Sequence, residues 1–373
     1  MRKPTTYLLL ALSLLLLGGC MKPVTQRAAL PDDAVAQEEE KQREIALKRH
    51  VQLERELHRV SYPLLQASVE MCKENLRSGT GTHITSKHAY EGEFRETAGR
   101  LYGLDDGLSV MYSIPGSPGE QAGLLAGDKV LKVGDHLVKP GEDALEEFTK
   151  YYREQVKPGQ LLSTKISRNG EVKTLEFVTD KLCDYRVVLV ESDAVNAFAD
   201  GEKVGITRGM MRFTESDQEL ALVVSHEIAH NAMSHITAKR TNAMGGLILD
   251  LLAAAAGVNT QGLFTEMAGQ AYSQEFEAEA DYVGLYIMSR AGQPIEGAAN
   301  FWRRMAAEHP SSISSAHAAS HPASAERFVA IEQTVREINT KQDKGLAMLP
   351  EMKQDNAAPA SEQGGGVFSL GGE

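Results

Sequence analysis

Three residues within a ten-residue stretch have the types and spacing needed to work on a metal. In VVSHEIAHNA, residues 223–232, His226, Glu227 and His230 form the pattern H-E-x-x-H. On a helix, residues four apart share a face, so His226 and His230 can offer two imidazoles to one ion. The helical repeat turns Glu227 by roughly 100° from His226. A carboxylate placed beside the ion in this way can take a proton from metal-bound water. The flanking Leu220, Ala221, Leu222, Val223, Val224, Ala229 and Ala232 contain no Gly or Pro, so a helix is predicted here. The competing reading is a solvated helix that happens to carry two histidines and an acid.

A zinc ion in such a site needs a third protein ligand. SQEFEAEADYVGLYIM, residues 273–288, reads as a second helix, with Glu277 and Asp281 four apart on one face. The first can complete a His/His/Glu site and the second can fix a ligand imidazole. Glu275 and Glu279 lie close by, so spacing alone does not choose the ligand. His235 falls off the face of His226 and His230 and reads as a helix-end residue, not a ligand. GGLILDLLAAAAG, residues 245–257, contains Asp250 and is too short to cross a membrane. It predicts a buried helix or an apolar flap over the cleft, with contact to a membrane surface as a further reading. Trp302 is expected on a helix between Gly292 and Glu308, as core.

HEIAH followed by E-x-x-x-D resembles the gluzincin metallopeptidases, in particular peptidase family M48, which holds HtpX, the CAAX prenyl protease and periplasmic BepA. The family's later motif, E-x-x-A-D, points to Glu277 as the ligand. Its H-P-x-x-x-x-R segment corresponds to HPASAER, His321 to Arg327. Its N-A-F edge strand corresponds to Asn196, Ala197 and Phe198. The resemblance implies one Zn²⁺ per chain on His226, His230 and Glu277, with Glu227 as general base. It also implies that Asp281 fixes a ligand imidazole and places His321 in the active-site region as a catalytic or transiently ligating residue. Arg327 is expected to fix the loop or bind developing charge. His309 and His317 are read as loop residues.

The start of the chain has the form of an export signal. Arg2 and Lys3 precede the apolar run Leu8–Leu17, and LLGGC resembles a bacterial lipobox with Cys20 as the lipidated residue. That places the protein in the bacterial periplasm, anchored through Cys20, with the outer membrane expected because Met21 and not Asp follows. Formal net charge is −12, and about −14 without Arg2 and Lys3, which argues against nucleic acid as a partner. In an oxidising compartment, with Cys20 lipidated, Cys72 and Cys183 are the remaining pair for a disulfide.

Between them the pattern changes to short apolar runs separated by Gly and Pro, a signature of strands and turns. GSPGEQAGL and AGDKVLKVG, within residues 116–134, resemble a bacterial PDZ domain. A short helix is expected over Glu120 to Ala122, then a Gly stop, a Gly-Asp turn and a strand, with the groove loop near Tyr102 to Leu108. Two readings stay open: a groove for a peptide ligand added as a strand, or a fold that only packs.

The expected fold class is α+β: a mainly helical zincin-type domain with a small edge sheet and an inserted β-rich PDZ-like domain. The expected order is a signal peptide (1–19), linker and charged helix (20–60), first part of the protease domain (61–96), PDZ-like domain (97–180), metallopeptidase domain (181–343) and a disordered tail (344–373). Pro63 is expected to end the charged helix and a new one to run from Leu64 to Leu76. RVVLVES, residues 186–192, reads as a buried strand. The function implied is zinc-dependent endoproteolysis of unfolded or extended envelope proteins. A chaperone or assembly factor with latent proteolysis, and a lipoprotein with purely structural zinc, are the alternatives.

Overall fold

A computed structural model describes residues 25, 28, 30–255, 260–263, 273–308, 321 and 324–353. Cys20 and the signal segment, His309, His317 and the tail beyond residue 353 lie outside the described residues.

The chain divides into two compact units, residues 1–46 and 47–373. In the first, the charge-rich helix start carries pairs one turn apart, the exposed Lys41–Glu38 at 3.8 Å, of a kind that contributes little stability, and the half-buried Arg43–Glu40 at 2.9 Å. The helix, α1, spans Asp32–Ala67 and runs through Pro63. A proline inside a helix costs about 3 kcal/mol. Here Leu57, Val60, Leu64 and Leu65, on both sides of it, are buried in the core, and their packing holds the helix together. No second helix follows. Turns bonded to the carbonyls of Leu64 and Ser68 carry the chain to strand β1 at Leu76–Gly79.

β2 (Thr82–Thr85), α2 (Glu93–Tyr102), β3 (Leu108–Ser113), α3 (Pro118–Gln121), β4 (Lys129–Val133), β5 (His136–Leu137), α4 (Ala144–Gln155), β6 (Leu161–Arg168) and β7 (Glu171–Val178) come next. The sheet order is β2-β3-β4-β6-β7, with β5 on β4. Its core, which includes Leu108, Val130, Leu162, Ile166 and Phe177, is closed by Phe148 of α4. The short helix and Gly123 stop match the sequence reading, with Gly123 at φ +85°, where a side chain would be strained. Two expectations are corrected. The sheet begins at Thr82, ahead of residue 97, because β2 pairs antiparallel with β3. Residues 102–108 do not border the cavity beside α4; Gly79–Ile84 do. That cavity, of about 560 Å³, also touches His58 and Tyr62 of α1 and Val187 and Val188.

β8 (Asp180–Cys183) pairs with β1, and Cys183 is bonded to Cys72 across 111 residues of sequence. β9 (Arg186–Val190), β10 (Ala197–Ala199) and β11 (Lys203–Thr207) form a sheet in the order β10-β11-β9. β9 is an edge of that sheet, so it is half-buried and not enclosed. The remaining elements are α5 (Arg208–Phe213), α6 (Asp217–Ala232), α7 (His235–Ala255), α8 (Ser273–Arg290), α9 (Ala298–Glu308) and α10 (Ala325–Asp343). α6 is enclosed by α8, α9 and the β10–β11 hairpin, which is why Leu220 through Asn231 are all buried.

Of the alternatives for residues 245–257, the buried helix is corrected as far as residue 254. Leu247, Ile248, Leu251 and Leu252 of α7 are exposed, while Asp250 is buried and receives a 2.5 Å hydrogen bond from the Thr260 hydroxyl. Among the described residues no helix is long and apolar enough to cross a membrane. The tail is placed as far as residue 353: Met348 packs on the core, and Lys341 donates to the Leu349 carbonyl at 2.9 Å.

Candidate metal centre

α6 starts where Ser216 accepts a hydrogen bond from the Glu219 amide, an S-x-x-E cap that satisfies one otherwise unpaired donor. The apolar run Leu220–Val224, continued by Ile228 and Ala229, then carries His226 and His230 into the core, at 1% and 2% exposure. α8 crosses α6 at Gly284. A Cβ there would stand 3.1 Å from the His226 amide nitrogen, tighter than ordinary contact, so glycine lets the two backbones approach closely. This contact sets Glu277, two turns earlier, opposite the two imidazoles.

The donors meet closely. His226 Nε2 and His230 Nε2 are 3.1 Å apart. Glu277 Oε2 is 3.3 Å from His226 Nε2, and Glu277 Oε1 is 3.4 Å from His230 Nε2. His321 joins them, its Nδ1 3.3 Å from His226 Nε2 and 2.8 Å from Glu277 Oε2. One atom from each of the four lies within 4.8 Å of all the others. Ligands at 2.0–2.1 Å on tetrahedral corners stand about 3.3 Å apart. The donor types and separations therefore fit a zinc-sized ion. Two buried carboxylate oxygens, Glu227 Oε2 and Glu277 Oε1, accept no hydrogen bond among the described residues, as expected of groups that face a cation.

Of the acids that spacing left open, Glu275 and Glu279 point away and are exposed, while Glu277 is fully buried. Asp281 Oδ1 stands 2.9 Å from His226 Nδ1, on the far side of the ring from the cluster. Arg327 clamps Asp281 with Nε to Oδ2 at 2.9 Å and Nη2 to Oδ1 at 3.0 Å. It also reaches to 3.5 Å from Glu277. Burial opposes a charge on His226, but Asp281 and Glu277 outweigh it and raise its pKa to about 10. Burial, reinforced by the neighbouring histidines, pushes His230 down to about 3 against the pull of Glu277. Glu277, although buried, is held far below the usual carboxylate range by His321 and the other imidazoles. Surroundings that favour a proton between these rings also favour a metal cation there.

Glu227 projects beside the cluster, with Oε1 3.3 Å from His321 Nε2. β10 is an edge strand packed against α6. Asn196 leads into it, bonded through its carbonyl to the Thr207 amide, while Ala197 is buried and Phe198 half-buried. The α6 residue Asn231 fastens this hairpin by accepting from the Gly201 amide at 2.8 Å and donating to the Lys203 carbonyl at 3.1 Å.

Sequence reasoning missed two features. Trp302 is core, but its ring also lies 5.2 Å from the His226 ring and 5.4 Å below the Arg327 guanidinium. Its being the sole tryptophan was the one available signal. His235 is not among the cluster donors, yet it is not free of the site: its Nδ1 sits 3.0 Å from His230 Nδ1.

Residues 164–335 match peptidase family M48 and residues 94–178 match the PDZ domain. The chain is 30% identical over 218 residues to the mitochondrial metalloendopeptidase OMA1 of Schizosaccharomyces pombe, covering 56% of this chain and 64% of that protein. It is 28% identical over 139 residues to the beta-barrel assembly-enhancing protease of Yersinia pestis, covering 33% of this chain and 28% of that protein. It thus spans less than two thirds of the length of either relative. Among solved structures, an HtrA-type protease AlgW with decapeptide matches at 21% identity and TM-score 0.22, over 28% of this chain and 30% of that one. The metal-site helices lie almost wholly inside the first match and the six-stranded sheet largely inside the second, so the chain carries a segment that matches peptidase family M48 and a segment that matches the PDZ domain.

Proposed function

We propose that the protein is a zinc metalloendopeptidase of the bacterial cell envelope that cleaves extended or unfolded polypeptides in protein quality control. The observation that carries this reading is the spacing of His226, His230 and Glu277 at near-tetrahedral separations, with Glu227 beside them. The relatives' names, a metalloendopeptidase and a beta-barrel assembly-enhancing protease, support the same class. Zinc, when bound, supplies a Lewis acid and lowers the pKa of water towards about 7. Glu227 receives the proton of the attacking water and passes it to the leaving amine. Asp281 and Arg327 hold His226 in orientation. The edge strand at Asn196, Ala197 and Phe198 pairs with the substrate backbone, which selects extended chains. The cavity beside α4 takes a peptide segment, and Cys20 carries the lipid that fixes the protein to the periplasmic face of the outer membrane.

A second reading is favoured by one observation: His321 stands within the donor cluster, 2.8 Å from Glu277. A histidine on the fourth corner keeps water out, and the protein then holds clients without cutting them until residue 321 withdraws. The test is casein degradation by the soluble form from Met21, wild type beside Glu227→Gln, with zinc counted in both. Zinc in both and cleavage only in the wild type supports the peptidase. Zinc in both and cleavage in neither favours the latent state, which His321→Ala then relieves. No zinc in either sinks both readings.

A further inference from the structure

α6 ends at Ala232, and the chain turns through Ser234, whose φ of +59° is in the left-handed region. That turn starts α7 at His235. His235 is 1% exposed, with its ring stacked on Phe276 at 4.6 Å between centroids. Its Nδ1 is 3.0 Å from His230 Nδ1, and its Nε2 is 2.8 Å from Glu279 Oε2. His230 has its other nitrogen, Nε2, in the donor cluster.

We propose that His235 and Glu279 are positioning residues for the metal site: Glu279 orients His235, and His235 fixes the tautomer and orientation of His230. The inference rests on the metal-site reading above. The proton order follows from the geometry. An imidazole that ligates through Nε2 carries its proton on Nδ1. His230 Nδ1–H therefore donates to His235 Nδ1, which must be bare. The proton of His235 then sits on Nε2 and donates to the Glu279 carboxylate. Each nitrogen has one role, and the chain ends on an anion that makes His230 a stronger donor to the metal. His226 has its own carboxylate at the equivalent place, Asp281, at 2.9 Å from Nδ1. The two ligand histidines are thus supported differently. One is backed directly by a buried acid that Arg327 holds, the other through a histidine by an acid that is 47% exposed.

The test is the zinc dissociation constant, measured by competition with a chromophoric chelator, for the full soluble chain and four variants. His235→Phe keeps the stack on Phe276 and removes both nitrogens. It is expected to weaken zinc binding about 10- to 100-fold. His235→Asn places a carbonyl oxygen where Nδ1 was, and is expected to recover most of that loss. Glu279→Gln, a surface change that leaves the fold in place, is expected to weaken binding several-fold. The double variant His235→Phe/Glu279→Gln is expected to be no weaker than His235→Phe alone, because the acid acts only through the ring. Wild-type affinity in both His235→Phe and Glu279→Gln would overturn the proposal while leaving the metal site standing. Equal losses in His235→Phe and His235→Asn would also overturn it, since packing and not the hydrogen bond would then be at work. Should His235→Phe fail to fold, Glu279→Gln alone decides. A wild type that binds no zinc removes the metal-site reading itself.

Discussion

Arg327 and Asp281 form a buried two-pronged ion pair, with Nε 2.9 Å from Oδ2 and Nη2 3.0 Å from Oδ1. The residues are 46 positions apart, one in the first turn of α10 and the other in α8. Asp281→Asn takes from the guanidinium its nearer counter-charge, leaving Glu277 at 3.5 Å, and takes from His226 the anion at Nδ1. Removing one partner of a buried pair costs about 3–5 kcal/mol. The expected result is a fall in unfolding free energy of that order, with weakened zinc retention; an unchanged urea midpoint would show that the pair contributes nothing.

Gly284 is the point where α8 touches the backbone of α6, and a Cβ there would stand 3.1 Å from the His226 amide nitrogen. Gly284→Ala is expected to push the helices apart by a few tenths of an ångström and destabilise the fold by about 1–3 kcal/mol. Because Glu277 is carried on the same helix, zinc affinity should fall with it. Thermal unfolding with and without zinc measures both, and a variant as stable and as tight as wild type counts against the close contact.

The Cys72–Cys183 bond spans 111 residues and ties the turn after α1 to the end of β8. Closing a loop of that length stabilises by about 4–5 kcal/mol on the chain-entropy argument. Cys72→Ser/Cys183→Ser should unfold at markedly lower urea concentration, and reductant should shift the wild type to match it while leaving the variant unmoved.

His58 and His83 line the cavity beside α4, in contact with Tyr112 and near Glu54 and Arg77. Burial lowers His58 to about 4, and burial with the charge of His58 lowers His83 to about 3. The folded state therefore keeps both rings neutral while the unfolded chain takes up protons below about pH 6.5. The unfolded state binds more protons in this window, so stability rises with pH and is lost on acidification from about pH 6.5 to 4. The slope is about 1 kcal/mol per pH unit for each ring. Urea unfolding at pH 7 and pH 5 should show the loss, and His83→Asn should flatten it; a pH-independent midpoint would refute the assignment.

In the six-stranded sheet, Asp128 is 1% exposed and paired with Arg168 through 2.7 Å contacts to both oxygens. Arg168 also donates to the Gly123 carbonyl at 2.6 Å, which fastens the Gly stop after α3. Arg168→Ala leaves the buried Asp128 carboxylate with the Leu125 amide but without its cation, and is expected to destabilise the sheet domain. Limited proteolysis should then cut within residues 116–134, and resistance equal to wild type would argue against this role.

Much of this was legible from local pattern. The i, i+4 histidines, the E-x-x-x-D helix and the Gly-stopped turn of the sheet domain each depend on a repeat set by backbone geometry, so sequence spacing determines them. The disulfide followed from residue count and compartment. The choice of Glu277 over Glu275 and Glu279 came from resemblance, because all three are compatible with one helix; only the crossing of α8 at Gly284 brings the right one to the histidines. His235 was placed off the ligand face by helical arithmetic, which held only while the helix was assumed to continue. The left-handed Ser234 ends it and returns the ring to His230. Pro63 was read as a break by its local cost, and burial on either side of it outweighed that cost. The start of the sheet at Thr82 was invisible because a four-residue edge strand has too little pattern of its own and is defined by its partner β3. Sequence determined the chemistry carried by each helix; which face met which was decided by packing between elements far apart in the chain, where no local spacing carries the information.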